Sequence, residues 1–248
     1  MQKVVVSFAD KSGNYKKSMQ RLRDSFLQVG YDGDFKLYED YDYINSPPHK
    51  LIKEDNDGSA TQQRAPVPYA FKAHAIEKAI AEMNGEGILL WCDSPIYATK
   101  SIQPIFEQIK SQGYLFFDNI GYSIGDYTSD ACLEKQGMSR QEAFDSKMLM
   151  ACCMGFDLSN GKALEFLERY ISSASDGISY MGDWDNKELQ VSKDARVLGT
   201  RHDQSVASII VKQMGLKITN AQQTYFAYTA HKGVLPIADS VCIWSGGM

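Results

Sequence analysis

The chain has 248 residues, of which 44% are apolar and 23% charged, with a formal net charge of −5 and a pI near 5.4. That length suits one large domain over 1–248 with ample core, and mild acidity argues against a broad nucleic-acid footprint, which needs a basic face. Five cysteines, at 92, 132, 152, 153 and 242, show no regular spacing and no CxxC pair, so a disulfide framework and a structural zinc site are both disfavoured. No run approaches the roughly 18 apolar residues of a membrane span, and MQKVVVSFADKSG turns polar too soon for a signal peptide. The expected setting is cytoplasmic.

In chain order, KVVVSF at 3–8 reads as a buried strand. Tyr15, Met19, Leu22, Phe26 and Val29 fall on one face of a helix, with Asn14 placed to cap it and Gly30 to stop it. Phe35 and Leu37 alternate in a second strand, so the chain opens strand–helix–strand, the unit of a parallel sheet. Residues 39–68 lack periodicity and are rich in Asp, Gly and Pro; a loop that long is commonly a lid or binding loop, expected to order with ligand. A helix follows over about 69–84, then the strand GILLWC (87–92), a helix over about 101–112 and the strand YLFFD (114–118). Irregular chain or short helix is expected at 119–137. Ser139 with Glu142 forms a capping box for the next helix. MLMACCMGF reads as a strand, a helix starts at Ser159 or Asn160, 172–200 is loop-rich, and a last helix covers about 204–214. The aromatic tail, 219–248, is expected to pack on the domain.

In parallel α/β sheets, ligands bind outside the carboxyl ends of the strands. That rule selects Ser7-Phe8-Ala9-Asp10, Asp93-Ser94-Pro95 and Phe156-Asp157. Asp93 leaves a strand too apolar to be anything but buried, and a carboxylate held there can meet Mg²⁺ or Mn²⁺; Asp-Ser-Pro is equally good turn chemistry. Lys72 shares the stripe of Ile76, Ile80 and Met83 in the first turn of its helix. It is placed for a phosphate or for snorkelling at the core edge. Arg201, His202, Asp203, Gln204 and Ser205 crowd one helix start; capping accounts for Asp203 or Ser205, and an anion site would use the others as well. GxxxxGK[ST], GxGxxG and HExxH are all absent from the sequence, which sets aside P-loop enzymes, classical dinucleotide sites and zincins.

Tyr69-x-Phe71-Lys72, ILLWCDSPIY and RHDQS, in that order after the first strand, resemble the nucleotide-sugar glycosyltransferases of the GT-A fold, in particular a little-characterised bacterial surface-polysaccharide and viral group. The resemblance covers roughly 3–215. It implies a single GT-A-like, Rossmann-type α/β domain with a mostly parallel central sheet flanked by helices, and glycosyl transfer from a nucleoside-diphosphate sugar, most naturally a UDP-sugar. It places the base at Ser7, Phe8 and Ala9, and the diphosphate with Mn²⁺ or Mg²⁺ at Asp93. Ser94, Lys72, Arg201 and His202 would complete donor binding, and Asp203 and Gln204 would face donor sugar and acceptor. Asp203 is the expected base, with Asp157, Asp183 and Asp185 in reserve. Pro95 stands where the usual motif has a second acid, which weakens the metal site and leaves a catalytically silent sugar- or nucleotide-binding module as the alternative. A saccharide or glycan acceptor is expected, with lipid-linked glycan, protein and nucleic acid also open. A sugar-nucleotide-forming nucleotidyltransferase would need a Gly-rich, Arg-containing loop where the chain has Ala9-Asp10-Lys11-Ser12-Gly13.

Overall fold

The computed structural model describes residues 1–9, 14–39, 67 and 69–246. The long irregular segment expected at 39–68 lies, apart from Glu39 and Val67, outside them, as does Asp10.

The described chain builds a five-stranded sheet in the order β2-β1-β3-β6-β5. β1 (Lys3–Phe8) lies between β2 (Asp34–Tyr38) and β3 (Ile88–Cys92), parallel to both, in register Val4↔Asp34 and Val4↔Leu89. β6 (Lys147–Asp157) runs antiparallel to β3 and to β5 (Tyr114–Ser123), so four strands share one direction and β6 opposes them. The helices are α1 (Asn14–Gln28), α2 (Ala70–Glu82), α3 (Gln103–Gln112), α4 (Asp130–Gln136), α5 (Arg140–Phe144), α6 (Gly161–Ala174) and α7 (Asp203–Gln213).

Strand alternation sends side chains to two cores. Val4, Val6, Phe8, Leu89 and Trp91 pack with Ile76 of α2, Phe166 of α6 and Ile209 of α7. Val5, Leu90 and Cys92 pack on the other face with Leu22 and Phe26 of α1 and Ile105 of α3. On that second face β4 (Ile96–Ala98), β7 (Phe226–Tyr228) and β8 (Ile243–Ser245) form a small sheet in the order β4-β8-β7, which adds Ile96, Phe226 and Ile243 to the core.

Local signals place several element ends. The Ser139 hydroxyl accepts from Glu142 N at 3.2 Å, and Asn160 Oδ1 from Lys162 N and Ala163 N at 3.0 and 3.2 Å, the side-chain caps expected at these helix starts. Gly113 ends α3 at φ 91°, a conformation that costs glycine little. Three expectations are corrected. Tyr15 is exposed rather than part of the buried stripe of α1. β5 continues beyond Asp118 to Ser123, with register shifts after Phe116 and Asp118, and pairs with β6 again at Ser123↔Lys147. Because β6 is reversed, Asp157 pairs with Ile88 at the amino end of β3, the opposite end of the sheet from Asp93. Its carboxylate accepts from Ser159 N and Oγ at 2.9 and 2.7 Å, which is turn chemistry. All five cysteines are free, and no helix among the described residues is long and apolar enough to cross a membrane.

Candidate active site

Three elements converge just beyond β3. Asp93 leaves that strand, with its backbone N–H bonded to Cys152 O of β6 at 2.7 Å. The first turn of α2 supplies Lys72, and α7 opens with Asp203. Lys72 Nζ lies 2.6 Å from Asp203, 3.1 Å from Asp93 Oδ1 and 3.0 Å from the Ala151 carbonyl of β6. An ammonium carries three N–H donors, and three protein oxygens already surround this one. The stripe that put Lys72 on the inward face of α2 therefore delivers it to two carboxylates rather than to an open phosphate site.

Burial alone would lower the pKa of Lys72, but Asp203 and Asp93 outweigh it and raise it. Burial raises the Asp203 carboxyl, and Lys72 opposes that by charge and hydrogen bonding without cancelling it. Asp203 is not a cap. It is the first residue of α7, the N-cap position falls to His202, and no side-chain cap bond forms there. Ser205 ties the turn instead, its hydroxyl accepting from Arg201 N and donating to Tyr127 O.

Asp93 is the more exposed member of the cluster, its side chain 34% exposed against 6% for Asp203. Its Oδ1 accepts the Trp91 indole N–H at 2.7 Å and also faces Lys72. Ser94 beside it is buried.

The second half of the site is aromatic. Phe8 contacts Phe71 with ring centroids 4.7 Å apart, Phe71 contacts Tyr69 at 5.8 Å, and Tyr69 stacks on His202 at 5.3 Å and 16°. Trp184 meets both Tyr69 and His202 edge-on. Tyr69 at φ 58° and His202 at φ 45° and ψ −108° precede α2 and α7 in backbone conformations that non-glycine residues rarely adopt. Strain held this way clusters at ligand sites. Arg201 lies between the Tyr127 and Trp184 rings, 4.0 and 4.3 Å from their centroids, and donates to Trp184 O and Thr200 O. Among the described residues no carboxylate lies within ion-pair distance of it.

The cationic pair expected at Arg201 and His202 is reduced to one charge. Burial pushes the His202 imidazole down to about 4, so it is neutral at pH 7. Ser7, Phe8 and Ala9 are buried at the end of β1. Ser7 shares the strand face of Val5, whose core is the α1 side, whereas Phe8 belongs to the aromatic run. Gln204 is half-buried in the first turn of α7. Asp183 and Asp185 are exposed and flank Trp184 in sequence.

Sequence reasoning missed Trp91, Tyr127, Tyr180 and the Ala151 carbonyl. Trp91 had a signal in its place two residues before Asp93, on the same side of the strand; the others are set by contacts distant in sequence.

The residues suit a caged divalent cation poorly. Among the described residues no group of three or more His, Cys, Asp or Glu side chains could hold a metal, and a buried ammonium sits 3.1 Å from Asp93.

No family model and no curated protein sequence matches the chain. Its fold is similar to that of a solved glycosyltransferase involved in the glycosylation of the major capsid of PBCV-1, with a TM-score of 0.55 and 14% identity over 99% of this chain and 93% of that one. It is also similar to mouse xyloside xylosyltransferase 1 in its apo form, with a TM-score of 0.51 and 10% identity over 99% and 97%. At such identities the likeness is one of architecture: the α/β fold implied by the sequence resemblance is the fold this chain shares with two glycosyltransferases.

Proposed function

We propose that the protein is a glycosyltransferase that moves a sugar from a nucleoside-diphosphate sugar, a UDP-sugar in the first instance, to a saccharide or glycan acceptor. One observation carries the reading. In a fold shared with glycosyltransferases, the partly exposed Asp93, held by Lys72 and Trp91, stands at the carboxyl end of β3, where α/β sheets bind ligands.

Breaking the bond between the anomeric carbon and the diphosphate leaves its electron pair, one new negative charge, on the terminal phosphate, which fixed donors must stabilise. Arg201 suits that task, as its guanidinium has no carboxylate partner among the described residues and lies between two rings. Lys72 is a positioning residue: it fixes Asp93 and Asp203 and gives no N–H to the ligand. Asp203, buried against Lys72, fixes the start of α7 and adds negative potential near the sugar, where an oxocarbenium-like transition state gains positive charge. That role replaces the base assignment, since the carboxylate is paired and buried. Gln204, one residue on, is the amide available to the acceptor. Mn²⁺ or Mg²⁺ would need the donor's own phosphates to complete its coordination, and no step here is routed through it.

The test is thermal shift and calorimetry with UDP, GDP and their sugar conjugates, followed by hydrolysis of the bound conjugate to free sugar. Ligand binding to the native state raises stability by RT ln(1 + [L]/Kd). Binding with slow sugar release supports the reading, and no stabilisation by any sugar nucleotide refutes it. Pro95, where a second acid would stand, favours a binding module as the second reading; binding without release, with acceptors supplied, would establish that instead.

A further inference from the structure

The chain beyond α7 builds a second concave surface. Thr219 N donates to Phe116 O at 2.8 Å and the Asp118 carboxylate accepts from Ala221 N at 2.9 Å, which ties this part of the chain to β5. Between the end of β5, β7 and the 3-10 turn Thr229–His231 the described residues leave an open cleft of about 200 Å³, solvent included. Met150, Phe226 and Ala227 are buried and close its back. Its mouth is in reach of a ligand: Ile120 is 45% exposed, and Asn119, Tyr228 and His231 are half-buried.

The cleft opens at the sheet edge where Asp93 stands. β5 runs in the direction of β3, so Asp118 and Asp93 leave the sheet at the same end. Asp93 N is bonded to Cys152 O, and Cys152 Sγ lies 3.7 Å from the Tyr228 hydroxyl. Burial and Cys152 raise the pKa of that hydroxyl, and Asp93 is near enough for its charge to add to the rise. The cleft nevertheless belongs to the other face of the sheet. Met150, Ala221 and Phe226 pack in the core on the α1 side, whereas Phe8, Phe71 and Tyr69 lie with the core on the α2 side. The aromatic run and the cleft therefore approach Asp93 from opposite faces.

The lining narrows what fits. No lysine or arginine contributes to it, so a diphosphate finds no fixed cation there. Sites for larger small molecules enclose roughly 300–1,000 Å³, so the cleft is too small for a nucleotide and has room for one ring. The Gln222 amide nitrogen donates to His231 Nδ1 at 2.5 Å, which leaves the Nε2–H of the half-exposed ring for a ligand. Asn119 adds an amide that makes no hydrogen bond among the described residues. An apolar and aromatic wall edged by an amide and an imidazole N–H matches a sugar ring, with C–H groups on its faces and hydroxyls around its rim.

We propose that this cleft holds one sugar ring of the acceptor, with Asn119 and His231 bonding its hydroxyls and Tyr228 against its C–H face. The acceptor role rests on the glycosyl-transfer reading and adds to it a place for the second substrate, on the opposite side of Asp93 from Phe8 and Tyr69.

The probes are the methyl glycosides of glucose, galactose and xylose, titrated into protein carrying ¹³C-methyl methionine and ¹⁵N-histidine. The Met150 methyl at the back of the cleft and the His231 ring at its mouth report binding there by NMR. At least one glycoside is expected to move both resonances, with or without UDP bound. Asn119→Ala and His231→Ala should each weaken that glycoside about 5- to 10-fold, the scale of one neutral hydrogen bond, and leave the calorimetric affinity for UDP unchanged. Glycosides that move neither resonance in the wild type would overturn the proposal, even where sugar nucleotides bind and are turned over. So would displacement of the glycoside by UDP or UDP-glucose, which would assign the cleft to the donor, or wild-type glycoside affinity in both variants. Glycoside binding without binding of any sugar nucleotide would defeat the transfer reading and the acceptor role with it.

Discussion

Replacing Lys72 by methionine keeps much of the side chain's length and removes its charge. Asp203 is 94% buried in its side chain and faces Lys72 at 2.6 Å, so the substitution strands a buried carboxylate. Breaking a buried pair by removing one partner costs about 3–5 kcal/mol. The contact with Asp93, one-third exposed, adds little, since pairs in reach of solvent are worth about 0–1 kcal/mol. For a chain of this length each kcal/mol lowers Tm by roughly 2–4 °C, so a fall of about 10 °C is expected. Urea unfolding followed by circular dichroism at pH 7 measures the free energy. The pH dependence has a definite sign. Burial raises the folded-state pKa of Asp203 against the opposing charge and hydrogen bond of Lys72, and without Lys72 the rise is larger; ionisation then disfavours the folded state. The penalty of Lys72→Met must therefore shrink as pH falls through that raised pKa. Lys72→Met with Asp203→Asn should recover part of the loss, with a coupling of about 2 kcal/mol. A cost below about 1 kcal/mol, or strict additivity in the double variant, would refute a buried ion pair at the centre of this site.

Three further outcomes are expected. The His202 pKa falls from 6.5 in the unfolded chain to about 4 in the folded one, so its contribution to stability is present above pH 6.5 and lost as pH drops toward 4. At about 1.4 kcal/mol per unit this amounts to about 3 kcal/mol, read as the difference in urea stability between wild type and His202→Asn across that range; a flat difference would contradict the depressed pKa. Arg201→Lys keeps the charge but loses the planar stack between Tyr127 and Trp184, and calorimetry should show UDP affinity about 10-fold weaker, whereas an unchanged Kd would remove Arg201 from the diphosphate site. Chelation by EDTA should leave UDP affinity within about 10-fold; a larger loss would show that Asp93 and the phosphates alone can hold the cation.

Much of the fold was legible in the sequence because its signals are local. The aliphatic run into Trp91 and Cys92 has to be a buried strand, the stripe of α2 repeats at the helical period, and Ser139 and Asn160 cap within their own turns. The fixed, partly exposed position of Asp93 at the end of β3 followed from the same logic, since a polar residue leaving so apolar a strand is held on a rigid element. Strand direction is different. Nothing within MLMACCMGF encodes whether it runs with or against its neighbours, so Asp157 could be assigned to the wrong end of the sheet until its pairing with Ile88 was known. The small sheet was illegible because β4, β7 and β8 span three residues each and exist only through pairing across distant chain. The charges of the site were decided by tertiary structure alone. Lys72, Asp93 and Asp203 could each be singled out, but not that one ammonium would be consumed by two carboxylates and a carbonyl. Nor could His202 be read as a neutral acceptor, because its protonation depends on burial and its tautomer on the carbonyl of Tyr180. Identity and spacing along the chain set which groups are available, and only packing sets what they face, how far they are from water and which proton they keep.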